Sequence, residues 1–466
     1  MIEDTNKISK SSEIRQYSGT GEITFETGEK VSCDFNVDCE YNGKSNLMAT
    51  IFLNKENYFI LKTLYNGFLV AGRFHGIDRN NAHIGINRIV LDTFTHSGTE
   101  LIIPILQHYK LNYSTKDLKH EQIKLFFFIQ SSINVIYDKI VKDKYVLLSY
   151  GLVNFNLGFN SNELILPNII LKLNIDNFEF KFVKKFDYND IYSESERYSI
   201  PNVMCYVLVY TRQQNERKVT TILNNICLLL SIVNANWIVP LFCDSISERK
   251  IRKSILYKIK TYDFISSYYC IDNKNYKAIK RFIENAYTRF LENEKILSLN
   301  KVFEYYVSGL STQIMQDRFN IGYIALDTLV QNARSLALTN NIKLIPNSVI
   351  QTRQKLENFF TEQNIPISKQ QIQDLTDIVS YNKLSITTCQ KYTSKHFGIR
   401  FYKETIDKLY KLRNSLFHGD EIKDFNKLKY AILELYNFLD ILILIILGWR
   451  GNEYINKSNN FTKEIL

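Results

Sequence analysis

The sequence predicts an α+β protein: a β-rich N-terminal domain, built as an antiparallel sandwich or barrel-like sheet, followed by an all-helical C-terminal bundle. Three observations lead to this fold class. The chain has 466 residues, which exceeds the size that one hydrophobic core usually reaches. Up to residue 211, short apolar runs alternate with polar residues and turn signals, as in β-strands. Beyond it, apolar residues recur every three or four positions, as in amphipathic helices.

The N-terminal strands are predicted from short apolar runs that are bounded by residues favouring turns, such as Gly28 and Asn66-Gly67. Because no long helical period separates the runs, they favour an antiparallel arrangement over a parallel sheet. The predicted strands cover residues 22–25, 31–35, 48–53, 58–64, 68–74, 83–92, 101–106, 124–130, 145–157, 165–175, 178–186 and 203–210.

The helical pattern begins at residue 216 and continues to the end of the chain. Helices are predicted at residues 216–233, 276–297, 299–310, 317–338, 349–361, 369–380, 402–417 and 424–447. The sequence therefore divides into a β-rich domain at 1–213, a helical connector with a basic segment at 214–298, and a helical domain at 299–466.

Composition excludes several classes of protein. A hydrophobic content of 45% with 23% charged residues is ordinary for a folded chain and excludes intrinsic disorder. The seven cysteines are scattered without a C-x-x-C pair, which predicts reduced thiols in the core rather than disulfides or a zinc ribbon. A net charge of +10 favours polyanionic partners mildly. The N-terminus lacks a secretory signal, so we expect a cytoplasmic protein.

One stretch, residues 219–243, is uncharged and long enough to span a bilayer. Four asparagines interrupt it, and four amides in hydrocarbon are costly without partners. The stretch therefore predicts a buried helix of a soluble protein that does not contact a membrane.

Histidine spacing does not predict a metal site. His75, His83 and His96 lie in the strand region, at spacings that do not place several ligands on one element. The sequence also lacks the G-x-S-x-G, H-E-x-x-H and G-x-G-x-x-G motifs. We therefore expect neither a metal nor a cofactor.

A basic segment follows the uncharged stretch, and two interpretations of it stay open. The first is a solvent-exposed helix face, and the second is a surface that contacts the phosphates of a nucleic acid. Its basic residues are Arg249, Lys250, Arg252, Lys253, Lys258 and Lys260.

The predicted helix at 402–417 carries an unusual charge. On a helical projection, Arg413 falls near the middle of the apolar face, where an unpaired guanidinium would be costly. Asn414 and His418 are four residues apart on the shoulder of that face, and Gly419 ends the helix. Asp327 borders the apolar stripe of the helix at 317–338 and is a candidate partner for Arg413. A purely structural buried ion pair is the alternative interpretation.

The segment Arg413-Asn414-x3-His418-Gly419 resembles the R-x4–6-H motif of the HEPN ribonucleases, including their common Arg-Asn start. The order of a β-rich part followed by a helical part also resembles the ApeA-like abortive-infection proteins of bacteria. This resemblance implies a HEPN helical bundle at the C-terminus. It further implies cleavage of RNA, with tRNA among the candidate substrates, through attack of a ribose 2′-hydroxyl on the adjacent phosphate without a metal.

The resemblance assigns a role to each motif residue. His418 would be the general acid/base, Arg413 would stabilise the charge on the phosphorane, and Asn414 would orient a phosphate oxygen or His418. Because the chain carries one motif and family sites are usually formed by two, the resemblance implies a homodimer. It also implies that the β-rich domain senses infection or restrains the helical ribonuclease domain, and that a phage product is the trigger. Two other classes remain: a non-catalytic HEPN module that binds nucleotide or RNA, and a sensor or scaffold protein.

Overall fold

The structure, a computed structural model, describes residues 15–39, 45–52, 71–96, 99–101, 122–137, 145–153, 155, 169–184, 203–247, 250–257, 270–272, 275–339, 347–363, 365–372, 403–417, 425–449, 454–455 and 462–463. The chain divides into two compact units. The first comprises Met1–Cys227 and Ile238–Thr261, and the second comprises Leu228–Trp237 and Tyr262–Leu466. The first unit is mainly strands and the second mainly helices, so the predicted α+β class is confirmed.

The strands of the first unit belong to one antiparallel sheet. They are β1 (Arg15–Phe25), β2 (Lys30–Cys39), β3 (Ser45–Phe52), β4 (Ala71–Asp78), β5 (His83–His96), β6 (Thr99–Leu101), β7 (Gln122–Ile129), β8 (Ile133–Ile136), β9 (Tyr145–Val153), β10 (Ile169–Ile175), β11 (Phe178–Lys184), β12 (Val203–Arg212), β13 (Val239–Ser247) and β14 (Lys250–Leu256). The predicted strand at 58–64 lies outside the described residues, as do residues 102–106, 156–157 and 165–168 of three other predicted strands.

Six of these strands close into a barrel. The order β5–β4–β1–β2–β3–β7 returns to its start because β7 pairs with β5, with Leu91 opposite Phe127 in the closing register. Closure leaves no free edge among the six strands, which protects them from pairing with other chains. Of the two forms predicted from the sequence, the sandwich and the barrel, the structure has the barrel.

Alternating residues of the barrel strands point inward and fill its interior. Ile23, Phe35 and Phe74 are among these buried side chains, and the Phe35 and Phe74 rings meet edge to face with centroids 4.8 Å apart. Gly76 provides the space for them, because a Cβ atom there would come within 2.7 Å of both rings. The interior of this small barrel is therefore a packed hydrophobic core.

The sheet continues beyond the barrel. β8 pairs with β5, and the order β14, β13, β9, β12, β11, β10 follows from it. The helix α1 (Glu216–Asn234) packs on one face of this extension through its first turns. The Tyr150 and Thr220 hydroxyl oxygens lie 2.9 Å apart, and Ser245 Oγ donates to Glu216 Oε1 at 3.0 Å.

The predicted helical connector at 214–298 is wrong in its middle part. Val239–Ser247 and Lys250–Leu256 form the antiparallel pair of β13 and β14, which also pairs with β9 and β8 inside the first unit. Burial alternates along β14, where Ser254 and Leu256 are buried and Ile255 between them is half-buried, as a strand requires. The unit boundaries therefore differ from the predicted ones at 213 and 298.

The helices of the second unit match their sequence predictions closely. They are α2 (Tyr276–Leu297), α3 (Leu299–Leu310), α4 (Met315–Thr339), α5 (Asn347–Glu362), α6 (Lys403–Phe417) and α7 (Phe425–Ile446), with short strands β15 (Tyr454–Ile455) and β16 (Thr462–Lys463) after them. Most of the predicted helix at 369–380 lies outside the described residues.

No helix within the described ranges combines the length and the apolar character that crossing a membrane requires. The uncharged stretch at 219–243 instead forms most of α1 and the beginning of β13. From Val219 onward, most residues of α1 are buried, so the predicted buried helix is confirmed up to its end at Asn234.

The core of the second unit is organised around α4, which packs against α2, α3, α6 and α7. Gly309 of α3 and Gly322 of α4 make room for the Tyr436 side chain of α7, because a Cβ at either position would collide with Tyr436 Oη. That hydroxyl donates to the Arg318 carbonyl at 3.0 Å. α4 also contacts α6.

Candidate functional site

The last turns of α6 carry two of the predicted site residues, Arg413 and Asn414. Leu409 is buried, whereas Lys408 and Lys411 are exposed, so one face of α6 packs against the rest of the unit. Arg413 follows Leu409 by four residues, which places it on the same face one turn later. The side chain is half-buried there, as the helical projection predicted.

The guanidinium of Arg413 lies against an aromatic ring of α4. Its Cζ atom is 6.0 Å from the centroid of the Tyr323 ring, at the limit of a cation–π contact. Its Nη1 atom also donates a hydrogen bond to Asn414 Oδ1 at 3.0 Å. The two contacts orient the guanidinium on the face of α6 that packs against the rest of the unit.

Three polar atoms of α4 are buried without a hydrogen-bond partner in the described part of the chain: Asn320 Oδ1, Tyr323 Oη and Asp327 Oδ1. Their spacing of three and four residues places them on one face of the helix. Burial raises the pKa of Tyr323, Asp327 raises it further, and Arg413 lowers it. Tyr323, Asp327, Arg413 and Asn414 thus lie together, and we name these four residues the α4–α6 cluster.

Buried polar atoms without a partner are uncommon in folded proteins, because each costs about 1–3 kcal/mol. The α4–α6 cluster combines such atoms with a cation, a carboxylate and an amide. This combination can hold a phosphate group through Arg413 and Asn414, with the Tyr323 ring lying against the guanidinium.

The structure thus brings Arg413, Asn414 and Asp327 together, although they were selected from two separate helices of the sequence. A direct ion pair between Asp327 and Arg413 stays a prediction. His418, the proposed acid/base, lies outside the described residues, immediately after α6 ends at Phe417.

The described part of the basic segment, Lys250–Leu256, is a strand, so the interpretation of this part as a solvent-exposed helix face is wrong. Arg252 and Lys253 are both half-buried in β14, and the carbonyl of Arg252 accepts a hydrogen bond from Tyr137 N at 2.9 Å. Neighbouring strand residues point to opposite faces, so these two cations do not form one continuous row. Contact with phosphates stays a prediction. Lys250 is also part of β14, whereas Arg249, Lys258 and Lys260 lie outside the described residues.

The sequence pattern did not single out Tyr323 or Asn320. A tyrosine fits the apolar stripe of this helix, and Tyr323 does pack there with only 2% of the residue exposed. A usable signal was present, because a buried tyrosine hydroxyl normally requires a hydrogen-bond partner. Asn320, three residues earlier, carried the same signal.

The cysteines behave as the sequence predicted wherever the structure describes them. Cys33, Cys39, Cys205, Cys227, Cys243 and Cys270 are buried free thiols. Burial raises the pKa of Cys33 and of Cys243 to about 12, so both thiols stay protonated at neutral pH. Within the described residues, no group of three or more His, Cys, Asp or Glu side chains is placed to hold a metal ion. Cys389 lies outside these residues.

The described elements define a class: a closed six-stranded antiparallel barrel with a sheet extension, joined in sequence to a helical unit with a buried polar cluster. Comparisons of this chain with protein-family models, curated proteins and solved structures found no match. The features of the chain that bear on its function are therefore the α4–α6 cluster and the Arg413-Asn414-x3-His418 motif.

Proposed function

We propose that this chain is a metal-independent endoribonuclease that acts as a homodimer in bacterial antiphage defence. The observation that carries the proposal is the placement of Arg413 and Asn414 in the α4–α6 cluster, five and four residues before His418 in the sequence. A guanidinium held near the end of a helix, five residues before a histidine in the sequence, suits chemistry on a phosphodiester. The defence role rests on the resemblance of the chain layout to the ApeA-like proteins.

The proposed reaction is transfer of the phosphodiester to the neighbouring 2′-hydroxyl. His418 removes the 2′-hydroxyl proton as that oxygen attacks phosphorus, and a protonated histidine donates a proton to the departing 5′-oxygen. The products are a 2′,3′-cyclic phosphate and a 5′-hydroxyl. Histidine suits both roles because its ordinary pKa lies near neutrality.

In the same proposal, Arg413 stabilises the charge that gathers on the non-bridging oxygens as the phosphorane forms. Its planar and permanently charged guanidinium donates to two oxygens at once, which an ammonium group does less well. Tyr323 and Asp327 position that guanidinium, and Asn414 orients it through the 3.0 Å hydrogen bond. The cluster thus holds the Arg413 guanidinium in position before the substrate binds. Such a preorganised hydrogen-bond donor stabilises the transition state.

Incubation of the purified chain with total RNA in EDTA tests the proposal. We expect cleavage to continue in the chelator, and mapped product ends to carry 2′,3′-cyclic phosphates and 5′-hydroxyls. Ends with 3′-hydroxyls and 5′-phosphates, or cleavage that stops in EDTA, would contradict the mechanism. Binding of RNA without any cleavage would instead support the non-catalytic module.

The dimer prediction follows from the single motif in each chain. We expect the specific activity to fall on dilution in parallel with the dimer fraction, because one motif alone does not complete the site. Light scattering and activity measured at the same concentrations test this. Mixed dimers of Arg413→Ala and His418→Ala chains should remain impaired, and an active monomer would exclude a site shared between two chains.

Tyr323 is predicted to position Arg413 through its ring rather than through its hydroxyl. We expect Tyr323→Leu to lower kcat about tenfold, with a smaller change in KM, because a cation–π contact contributes about 0.5–2 kcal/mol. Tyr323→Phe keeps the ring and should stay within about threefold of the parent. Tyr430→Leu, at an exposed tyrosine of α7, is the control. Equal losses in the Phe and Leu variants would assign the effect to the hydroxyl.

A further inference from the structure

The sheet extension of the first unit has an exposed aromatic surface that the proposed catalytic site does not use. Side chains alternate between the two faces of β9 and β12. Val146, Leu148 and Val207 point to the buried face. On the opposite face, Tyr210 is 69% exposed and Tyr145 is 39% exposed. Two large exposed aromatic side chains on neighbouring strands make this face a candidate contact surface.

These two tyrosines are already arranged as a stack. Their ring centroids are 5.5 Å apart and their planes differ by 6°. Arg212 lies directly opposite Tyr145 in the strand register, and its Cζ atom is 5.9 Å from the centroid of that ring. Because Tyr210 is mostly exposed, a further planar group has access to the stack beside it.

Cations also lie on the sheet face that carries the stack. Lys181 in β11 is opposite Leu208, which is two residues from Tyr210 in β12 and on the same face, and Lys172 in β10 is opposite Lys181. Glu179 pairs with Lys172 at 2.5 Å and with Lys181 at 2.9 Å. No ion pair of Arg212 occurs within the part of the chain that the structure describes. The surface therefore carries three cations against one carboxylate.

We propose that Tyr145, Tyr210, Arg212, Lys172 and Lys181 form a binding surface for single-stranded RNA, which we name the tyrosine surface. An unpaired base stacks on Tyr210, and the flanking cations contact phosphates. Stacking on exposed aromatic side chains beside basic groups is the general way in which proteins bind single strands. The excess of positive charge favours a polyanion over an apolar protein partner. The choice of RNA over DNA rests on the proposed function.

Fluorescence anisotropy with a labelled 2′-O-methyl RNA oligonucleotide tests the tyrosine surface in the full chain. The probe has no free 2′-hydroxyl, so the proposed reaction does not consume it. We expect Tyr210→Ala to weaken binding about tenfold, because stacking contributes about 1–3 kcal/mol per base. Tyr210→Phe should bind within about twofold of the parent, since the ring remains. Tyr430→Ala, at a tyrosine that is 66% exposed in α7, is the matched control.

A second arm measures binding at several salt concentrations. Arg212→Gln should reduce the slope of log affinity against log salt by about 0.7, the value for one phosphate contact on a single strand. Unchanged affinity in Tyr210→Ala, or an equal loss in Tyr210→Phe, would overturn the proposal and leave the surface to a protein partner. A DNA probe that binds equally would support the surface, because stacking and phosphate contacts do not require the 2′-oxygen.

The two proposals fail separately. Tyr210→Ala should leave the ends of the RNA products unchanged, because the tyrosine surface takes no part in the chemical step. Absence of cleavage with Tyr210-dependent binding intact would contradict the proposed function alone. Cleavage with binding that is independent of Tyr210 would overturn the tyrosine surface alone.

Discussion

Arg413→Ala is expected to lower the rate of RNA cleavage by about 10²–10³-fold, the usual effect of removing one donor that stabilises a transition-state anion. Arg413→Lys keeps the charge but not the planar fork, so we expect it to restore only part of the rate. Lys411→Ala removes the same charge from an exposed position two residues earlier in α6, and it should cleave like the parent. Single-turnover rates in EDTA measure the chemical step in all three variants.

His418→Ala is the companion variant, with an expected loss of about 10²–10⁴-fold because it removes the general acid/base. Thermal unfolding of each variant shows whether the chain still folds. Both variants should also lose toxicity when the chain is expressed in cells. Wild-type cleavage by His418→Ala in EDTA would show that the acid/base assignment is wrong, even if Arg413 proved essential.

The barrel shows which part of the fold was readable from the sequence. Period-two runs located most of its strands, because each strand has one buried face. Closure was not readable, because it depends on β5, which pairs with β4, β6, β7 and β8 along its 14 residues. The register shift between Leu91 and Thr93 accompanies this change of partners. Long-range pairings of this kind leave little trace in local periodicity.

The hairpin of β13 and β14 was missed for a different reason. β13 is buried along most of its length, so it has no alternation and continues the apolar run of α1. The boundary lies at Asn234 and Ala235, where Ala235 has a left-handed φ of 51° that ends the helix. An alanine in the sequence does not indicate a left-handed backbone conformation, whereas a glycine at the same position would.

Part of the candidate site could be predicted from the sequence. Arg413 was identifiable because a guanidinium in the middle of an apolar helix face contradicts the pattern around it. Tyr323 was not, because a tyrosine fits an apolar stripe, and whether its hydroxyl finds a partner is decided by packing between helices that are distant in sequence. The same limit applies to Asp327. It lies on the border of the apolar stripe of its helix, and this position does not determine which side chains it contacts.

The buried ion pair of the first unit leads to the largest expected effect on stability. Arg15 in β1 donates from Nη1 and Nη2 to the two carboxylate oxygens of Asp244 in β13, at 2.9 Å each. The guanidinium also contacts Ser254 Oγ and lies 4.5 Å from the centroid of the Phe242 ring. Ser254 Oγ in turn donates to Asp244 Oδ1 at 2.6 Å. The first residue of β1 is thereby joined to the β13–β14 hairpin.

We expect Asp244→Ala to lower the free energy of unfolding of the first unit by about 3–5 kcal/mol, because it leaves a buried guanidinium without its counter-charge. The side chains of Arg15 and Asp244 are only 14% and 5% exposed, so water does not replace the lost partner. The double variant Arg15→Met with Asp244→Leu should lose much less of this free energy of unfolding, since two apolar groups leave no uncompensated charge. Hydrogen exchange of β1, β13 and β14 measures the local free energy of opening.

Lys30→Ala provides the matched control, because Lys30 and Glu22 form an ion pair at 2.9 Å in the same barrel with side chains 63% and 43% exposed. Loss of this ion pair should change the free energy of unfolding by less than about 1 kcal/mol, since water solvates both charges. If Asp244→Ala were no more destabilising than Lys30→Ala, the Arg15 charge would have to be neutralised by another group. The energetic importance of the contact between β1 and the hairpin would then be excluded.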